Sequence, residues 1–79
     1  MSFSKELKKA RLSMYLTQKR LAEKTEIPLT NIKNWECGYY LPSAESWEKL
    51  YNYFVTKIPF SNVKNEYLLE KTQRGKKHE

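Results

Sequence analysis

Aspartate is absent from this chain, histidine and cysteine occur once each, glycine twice and proline three times. Each scarcity removes a class of chemistry. With no aspartate, and with His78 far along the chain from Cys37, neither a Ser/His/Asp nor a Cys/His nucleophile arrangement is in sight. The same poverty of ligands leaves no metal site, and two glycines do not make a phosphate-cradling loop. The expectation is a protein that is not an enzyme and carries no cofactor and no metal. A single cysteine cannot close an internal disulfide, so Cys37 reads as a reduced surface thiol. No apolar run is long enough for a signal peptide or a membrane span, which with the single cysteine gives a cytosolic, reducing home as the expectation. With 79 residues there is room for one domain and one small core, and little for a large cleft.

What is abundant is positive charge, unevenly placed. Residues 1–35 hold eight Lys/Arg and three Glu, a net +5, whereas residues 36–70 hold three and five, a net −2. Residues 71–79 return to +3 with four Lys/Arg against one Glu. A basic first half and a basic tail suit a polyanion, of which a phosphate backbone is the commonest. A solvated helix surface would give the same numbers, so charge alone does not choose.

Apolar residues recur at helical spacing and nowhere alternate as in a strand. Phe3, Leu7, Ala10 and Met14 share one face of a first helix that Ser2 can cap, with Lys5, Lys8 and Lys9 on other faces. Thr17 can cap a second helix from Gln18 to about Lys24, which turns Leu21 and Ala22 inward. Pro28 is tolerated only at a helix start, so a third helix runs from there to about Trp35, with Ile32 and Trp35 inward and Gly38 ending it. Helices this short are marginal alone in water and must be held by their neighbours.

Beyond Gly38, "YYLPSAES" is a loop ending at Ser43, the cap of a fourth helix whose stripe is Trp47, Leu50, Tyr51 and Phe54. Such an aromatic stripe is normally core, the other reading being a partner surface. Pro59 then breaks the pattern and Ser61 can cap a fifth helix to about Glu70, carrying Val63, Tyr67 and Leu68. "KTQRGKKHE" has no apolar residue and reads as a disordered basic tail, residues 71–79, after a domain of residues 1–70. Five helices with short loops and no repeat make an all-α, compact five-helix bundle.

Two short helices joined by a tight turn, the second with polar residues facing outward, form a helix-turn-helix unit whose second helix can enter a DNA major groove. "LTQKRLAEKTEIPLTNIKNWECGYYLP", residues 16–42, resembles the Cro/repressor-type, lambda repressor-like helix-turn-helix family of phage and bacterial regulators. Gln18 opening the second helix, Leu21-Ala22 within it, Ile27 after the turn, Ile32, the Trp35-Glu36-x-Gly38 run and Pro42 carry that likeness, which spans roughly residues 4–55. The small, basic make-up is also similar to the Cro-like and modulator-of-repression (Mor) proteins of temperate phages. Departures stand beside the matches: Tyr15 and Glu26 occupy positions where the family favours glycine. Either they adopt positive φ at a cost of order 1 kcal/mol, or the turns differ. Pro28 replaces the usual Ser/Thr cap, and the often basic loop reads Tyr39-Tyr40-Leu41.

The resemblance implies roles by position. Leu29, Thr30, Lys33 and Asn34 are the base-reading positions of the third helix, with Lys33 suited to guanine, Asn34 to adenine, and Leu29 or Thr30 to a thymine methyl. Thr17, Gln18, Lys19, Tyr39 and Tyr40 would meet phosphates. Arg11 and Glu36 stand where family members join the first and third helices by an ion pair, a structural role. Two readings follow. One is a sequence-specific transcription regulator that binds a double-stranded DNA operator as a homodimer and controls a promoter switch. The alternative is an antirepressor-like modulator that forms a hetero-complex with a phage repressor and alters its DNA binding, favoured by "YYL" and by the aromatic-rich "LYNYFVTKIPF" as contact area.

Overall fold

The computed structural model describes the backbone of residues 2–76 and the side chains of residues 2–73. It contains helices α1 (Phe3–Ser13), α2 (Gln18–Thr25), α3 (Leu29–Cys37), α4 (Ala44–Phe54) and α5 (Ser61–Lys76), and no strand among the described residues. Hydroxyl caps start three of them. Ser2 accepts from the Lys5 amide, Thr17 from that of Arg20 and Ser43 from that of Ser46, each satisfying a helix-start N–H that would otherwise lack a partner. The fifth start differs from expectation: Ser61 is the first helical residue and the Phe60 carbonyl accepts the Lys64 amide at 3.0 Å.

Among the described residues, two hold the left-handed conformation without being glycine, Tyr15 at φ 58° and Glu26 at φ 59°. Glu26 ends α2 and Gly38, at φ 81°, ends α3. Such a residue reverses the chain in one step, and behind it the Ile27 amide reaches the Ala22 carbonyl at 3.2 Å. The consequence is a three-residue connection, Glu26 to Pro28, that drops Ile27 into the core, 3% exposed, and leads directly into α3.

The core draws on every helix: Phe3, Leu7 and Ala10 of α1, Leu21 of α2, Ile32 and Trp35 of α3, Leu50 and Phe54 of α4, Val63 and Tyr67 of α5, with Ile27 and Phe60 from the connections. Helix α1 packs on α3 and α5, and α2 on α3 and α4. A buried Leu, Ile or Phe side chain contributes roughly 1.5–3 kcal/mol relative to exposure, enough for one or two of them to hold a helix of eight or nine residues that is marginal by itself. The start of α1 is also tied to α5, since the Phe3 amide donates to the Glu70 carboxylate at 2.5 Å.

Three expectations are corrected. The aromatic segment around Tyr51–Phe60 is mostly interior: Trp47 stacks on Tyr67 with centroids 4.3 Å apart, Phe54 stacks on Phe60 at 4.9 Å, and Tyr51 and Tyr53 pack half-buried against them. It therefore supplies core rather than a partner surface. Leu68 faces outward, because Val63 and Tyr67 are four residues apart and share a face that Leu68 does not. Helix α5 also continues past Glu70 to Lys76, six residues into the stretch read as a tail; no proline interrupts it and the Thr72 hydroxyl donates to the Leu68 carbonyl at 2.9 Å. His78 lies outside the described residues.

Candidate nucleic-acid interface

Helix α3 is amphipathic in a way that separates its two jobs. Ile32 and Trp35 face the core, 0% and 2% exposed, and Thr30, Lys33 and Asn34 lie on the opposite side, with Leu29 and Asn31 at its two borders. Thr30 and Lys33 are exposed, and Leu29, Asn31 and Asn34 are half-buried. Pro28 precedes the helix in an extended conformation, φ −55° and ψ 137°, and offers no side-chain acceptor to the first amides. The Pro28 carbonyl instead accepts the amides of Asn31, at 3.0 Å, and Ile32, at 3.4 Å.

The orientation of α3 is set by a charged knot at its far end. Glu36 receives Arg11 Nε at 2.7 Å on one oxygen and Arg11 Nη2 at 2.9 Å on the other, a bidentate pair with side chains 8% and 4% exposed. The remaining guanidinium nitrogen, Nη1, donates to the Leu16 carbonyl at 2.8 Å, and Gln18 Nε2 donates to Glu36 Oε1 at 3.1 Å. One carboxylate thus ties the end of α1, the first residue of α2 and the last turn of α3. Burial is tolerable because both charges have their hydrogen bonds.

The residues expected at phosphates fall into two groups. Thr17 and Lys19 are exposed at the start of α2, with the Thr17 hydroxyl engaged in its cap at 3.0 Å from the Arg20 amide. Gln18 is half-buried and one of its amide hydrogens is committed to Glu36. Tyr39 is 71% exposed after Gly38. Tyr40 turns back instead: its hydroxyl accepts from Asn34 Nδ2 at 2.9 Å and donates to Asn31 Oδ1 at 3.5 Å. Asn31 has no place in the sequence reading, although its i, i+3 spacing from Asn34 was the available signal. Cys37 is exposed, and no group of three or more His, Cys, Asp or Glu among the described residues could hold a metal ion.

The profile of a helix-turn-helix family matches residues 7–54, from within α1 to the end of α4. The chain belongs to the Cro/repressor-type helix-turn-helix family. Over all 79 residues it is 39% identical to the HTH-type transcriptional regulator ImmR of Bacillus subtilis (strain 168), and it spans 57% of the length of that relative. No solved structure matches. Within the matched residues, Tyr15 and Glu26 hold left-handed turns, Arg11 and Glu36 form their ion pair, and α3 turns its polar side outward. No helix among the described residues is long and apolar enough to cross a membrane.

Proposed function

We propose that this member of the helix-turn-helix family is a sequence-specific DNA-binding transcription regulator of Cro type, acting in the cytoplasm of a bacterial host on a promoter switch. The observation that carries the reading is the outward face of α3, where Thr30 and Lys33 are exposed and Lys33 forms no ion pair among the described residues. A helix so presented fits a major groove, with Lys33 donating to guanine O6/N7, Asn34 pairing with adenine and Leu29 or Thr30 meeting a thymine methyl. Thr17, Gln18, Lys19 and Tyr39 flank it as phosphate contacts, and the knot at Arg11 and Glu36 fixes the angle of α3 to α2. Two copies on a two-fold operator double the contact area that one small module supplies. The basic first half of the chain supplies the attraction to phosphate.

A second reading, an antirepressor-like modulator docking on a partner repressor as Mor-type proteins would, keeps one specific support. The loop after α3 carries exposed Tyr39 and Tyr40 in place of cations, so it adds contact area without releasing counterions. A gel shift with the promoter DNA flanking the gene, with and without any repressor encoded beside it, separates the two. A sequence-dependent shift by this protein alone supports the regulator. A shift that requires the repressor, or loss of the repressor's own shift, overturns it in favour of the modulator.

A further inference from the structure

We infer that Tyr40 is a positioning residue for sequence readout: its hydroxyl orients the Asn34 amide for adenine and is not a phosphate contact in its own right. The inference rests on the DNA-binding reading above and concerns how that site gains specificity. Asn34 Nδ2 donates to the Tyr40 hydroxyl at 2.9 Å, and the hydroxyl hydrogen points on toward Asn31 Oδ1 at 3.5 Å. The three polar groups form a short directed chain along the edge of α3, from amide N–H to hydroxyl to amide carbonyl.

Direction is what makes this chain informative. A tyrosine hydroxyl has one hydrogen, and with Asn31 Oδ1 taking it, the oxygen can only accept from Asn34. That favours the orientation of the Asn34 amide in which Nδ2 faces the ring. An amide carries two N–H groups, and when the ring takes the one on the Cβ side, the carbonyl oxygen and the N–H beside it are left for a bidentate contact to adenine N6 and N7. A free asparagine would populate flipped and rotated amides and lose that freedom on binding; the bond to the Tyr40 hydroxyl at 2.9 Å restricts it beforehand. Asn31 sits three residues before Asn34, one turn back, so the same hydroxyl couples two positions of the recognition helix.

The ring comes from outside α3. Gly38 ends the helix at φ 81°, which folds the following chain back beside the helix it has just left, and Tyr40 is only 43% exposed against 71% for Tyr39. The two tyrosines therefore differ in kind. Tyr39 is free to meet a phosphate, while Tyr40 has its hydroxyl occupied on both sides.

The test uses the full chain and a pool of short duplexes with a randomised centre, from which bound sequences are selected with the parent protein, Tyr40→Phe, Asn34→Ala and the double variant. The expected result is that the parent selects a motif with adenine at one Asn34-dependent position, and that Tyr40→Phe loses about tenfold of that preference, the size of one base contact, with other positions and the thermal midpoint unchanged. In the Asn34→Ala background, Tyr40→Phe then has no further effect on preference. If Tyr40→Phe lowers binding to all sequences alike, in both backgrounds, Tyr40 is a phosphate contact and the inference is overturned. An unchanged motif in Tyr40→Phe overturns it as well while the regulator reading stands. A parent protein that enriches no motif overturns both.

Discussion

Arg11 grips Glu36 through two hydrogen bonds, 2.7 and 2.9 Å long, across 25 positions of sequence. Because Gln18 shares the same carboxylate and Leu16 receives the third guanidinium nitrogen, this pair fixes three chain segments at once. Removing one partner leaves the other charged and buried. Arg11→Met or Glu36→Gln alone should therefore destabilise by about 3–5 kcal/mol, and Gln18→Leu by only about 1 kcal/mol, since it removes one hydrogen bond and strands no charge. Thermal melts of the three variants check the ranking. An unchanged midpoint for both Arg11→Met and Glu36→Gln would show that the knot is not structural.

Tyr15 and Glu26 give the opposite sign. Both sit near φ 58–59°, where a Cβ crowds the neighbouring carbonyl, and Tyr15 is 95% exposed, so its ring contributes no packing to lose. Tyr15→Gly and Glu26→Gly should each stabilise by about 1 kcal/mol, the relief of strain exceeding the added freedom of the unfolded chain. Gly38→Ala should cost about 1 kcal/mol for the same reason. A Cβ there would meet Ser4 Oγ at an ordinary 3.8 Å, so strain rather than lack of space sets the cost. Denaturant titrations decide it, and a lower midpoint for both glycine variants would contradict the account.

These turns also mark where sequence and structure meet easily and where they do not. The helices were legible because capping hydroxyls at Ser2, Thr17 and Ser43 precede apolar residues at a 3.6 period, and because Pro28 and Gly38 punctuate α3. The likeness to the family's motif added the pairing of Arg11 with Glu36, which no local pattern reveals across that separation. What was not legible depends on tertiary placement. Glu6 lies on the first helix among lysines yet is 4% exposed, with Lys9 Nζ 3.7 Å away, because α1 is covered by α5 on a side that the hydrophobic stripe does not define. Leu68 looked inward by composition and is exposed because Tyr67 already takes the core position beside it. The link from Tyr40 to Asn34 depends on where the chain goes after Gly38, which spacing along α3 does not encode.

The packing of α5 is tested at two adjacent residues. Tyr67 is 2% exposed, stacks on Trp47, and donates its hydroxyl to the Pro42 carbonyl at 3.0 Å, whereas Leu68 is 49% exposed. Tyr67→Phe keeps the stack and leaves a buried carbonyl without its partner, so it should cost about 1–3 kcal/mol. Leu68→Ser should change stability by less than about 0.5 kcal/mol, as for other surface substitutions. Equal melting of the parent and Tyr67→Phe would mean that the bond to Pro42 contributes nothing.

Two lysines of the proposed DNA site should fail in different ways. Lys33 projects from the outward face of α3, where its neighbours on the helix are the other proposed base-reading positions, and Lys19 projects from the start of α2, where the helix would cross a backbone. A base contact is sequence-dependent and a phosphate contact is not. Lys33→Ala should relax preference at one base position by roughly 1–3 kcal/mol of discrimination and leave the others intact. Lys19→Ala should weaken all duplexes alike and lower the slope of log K against log salt by about one, because one fewer counterion is released. Titrations at several salt concentrations against the selected motif and a single-base variant of it give both quantities. If Lys33→Ala weakens both duplexes equally and flattens the salt slope as Lys19→Ala does, Lys33 meets the backbone, and the burden of readout passes to Thr30, Leu29 and the amide that Tyr40 holds.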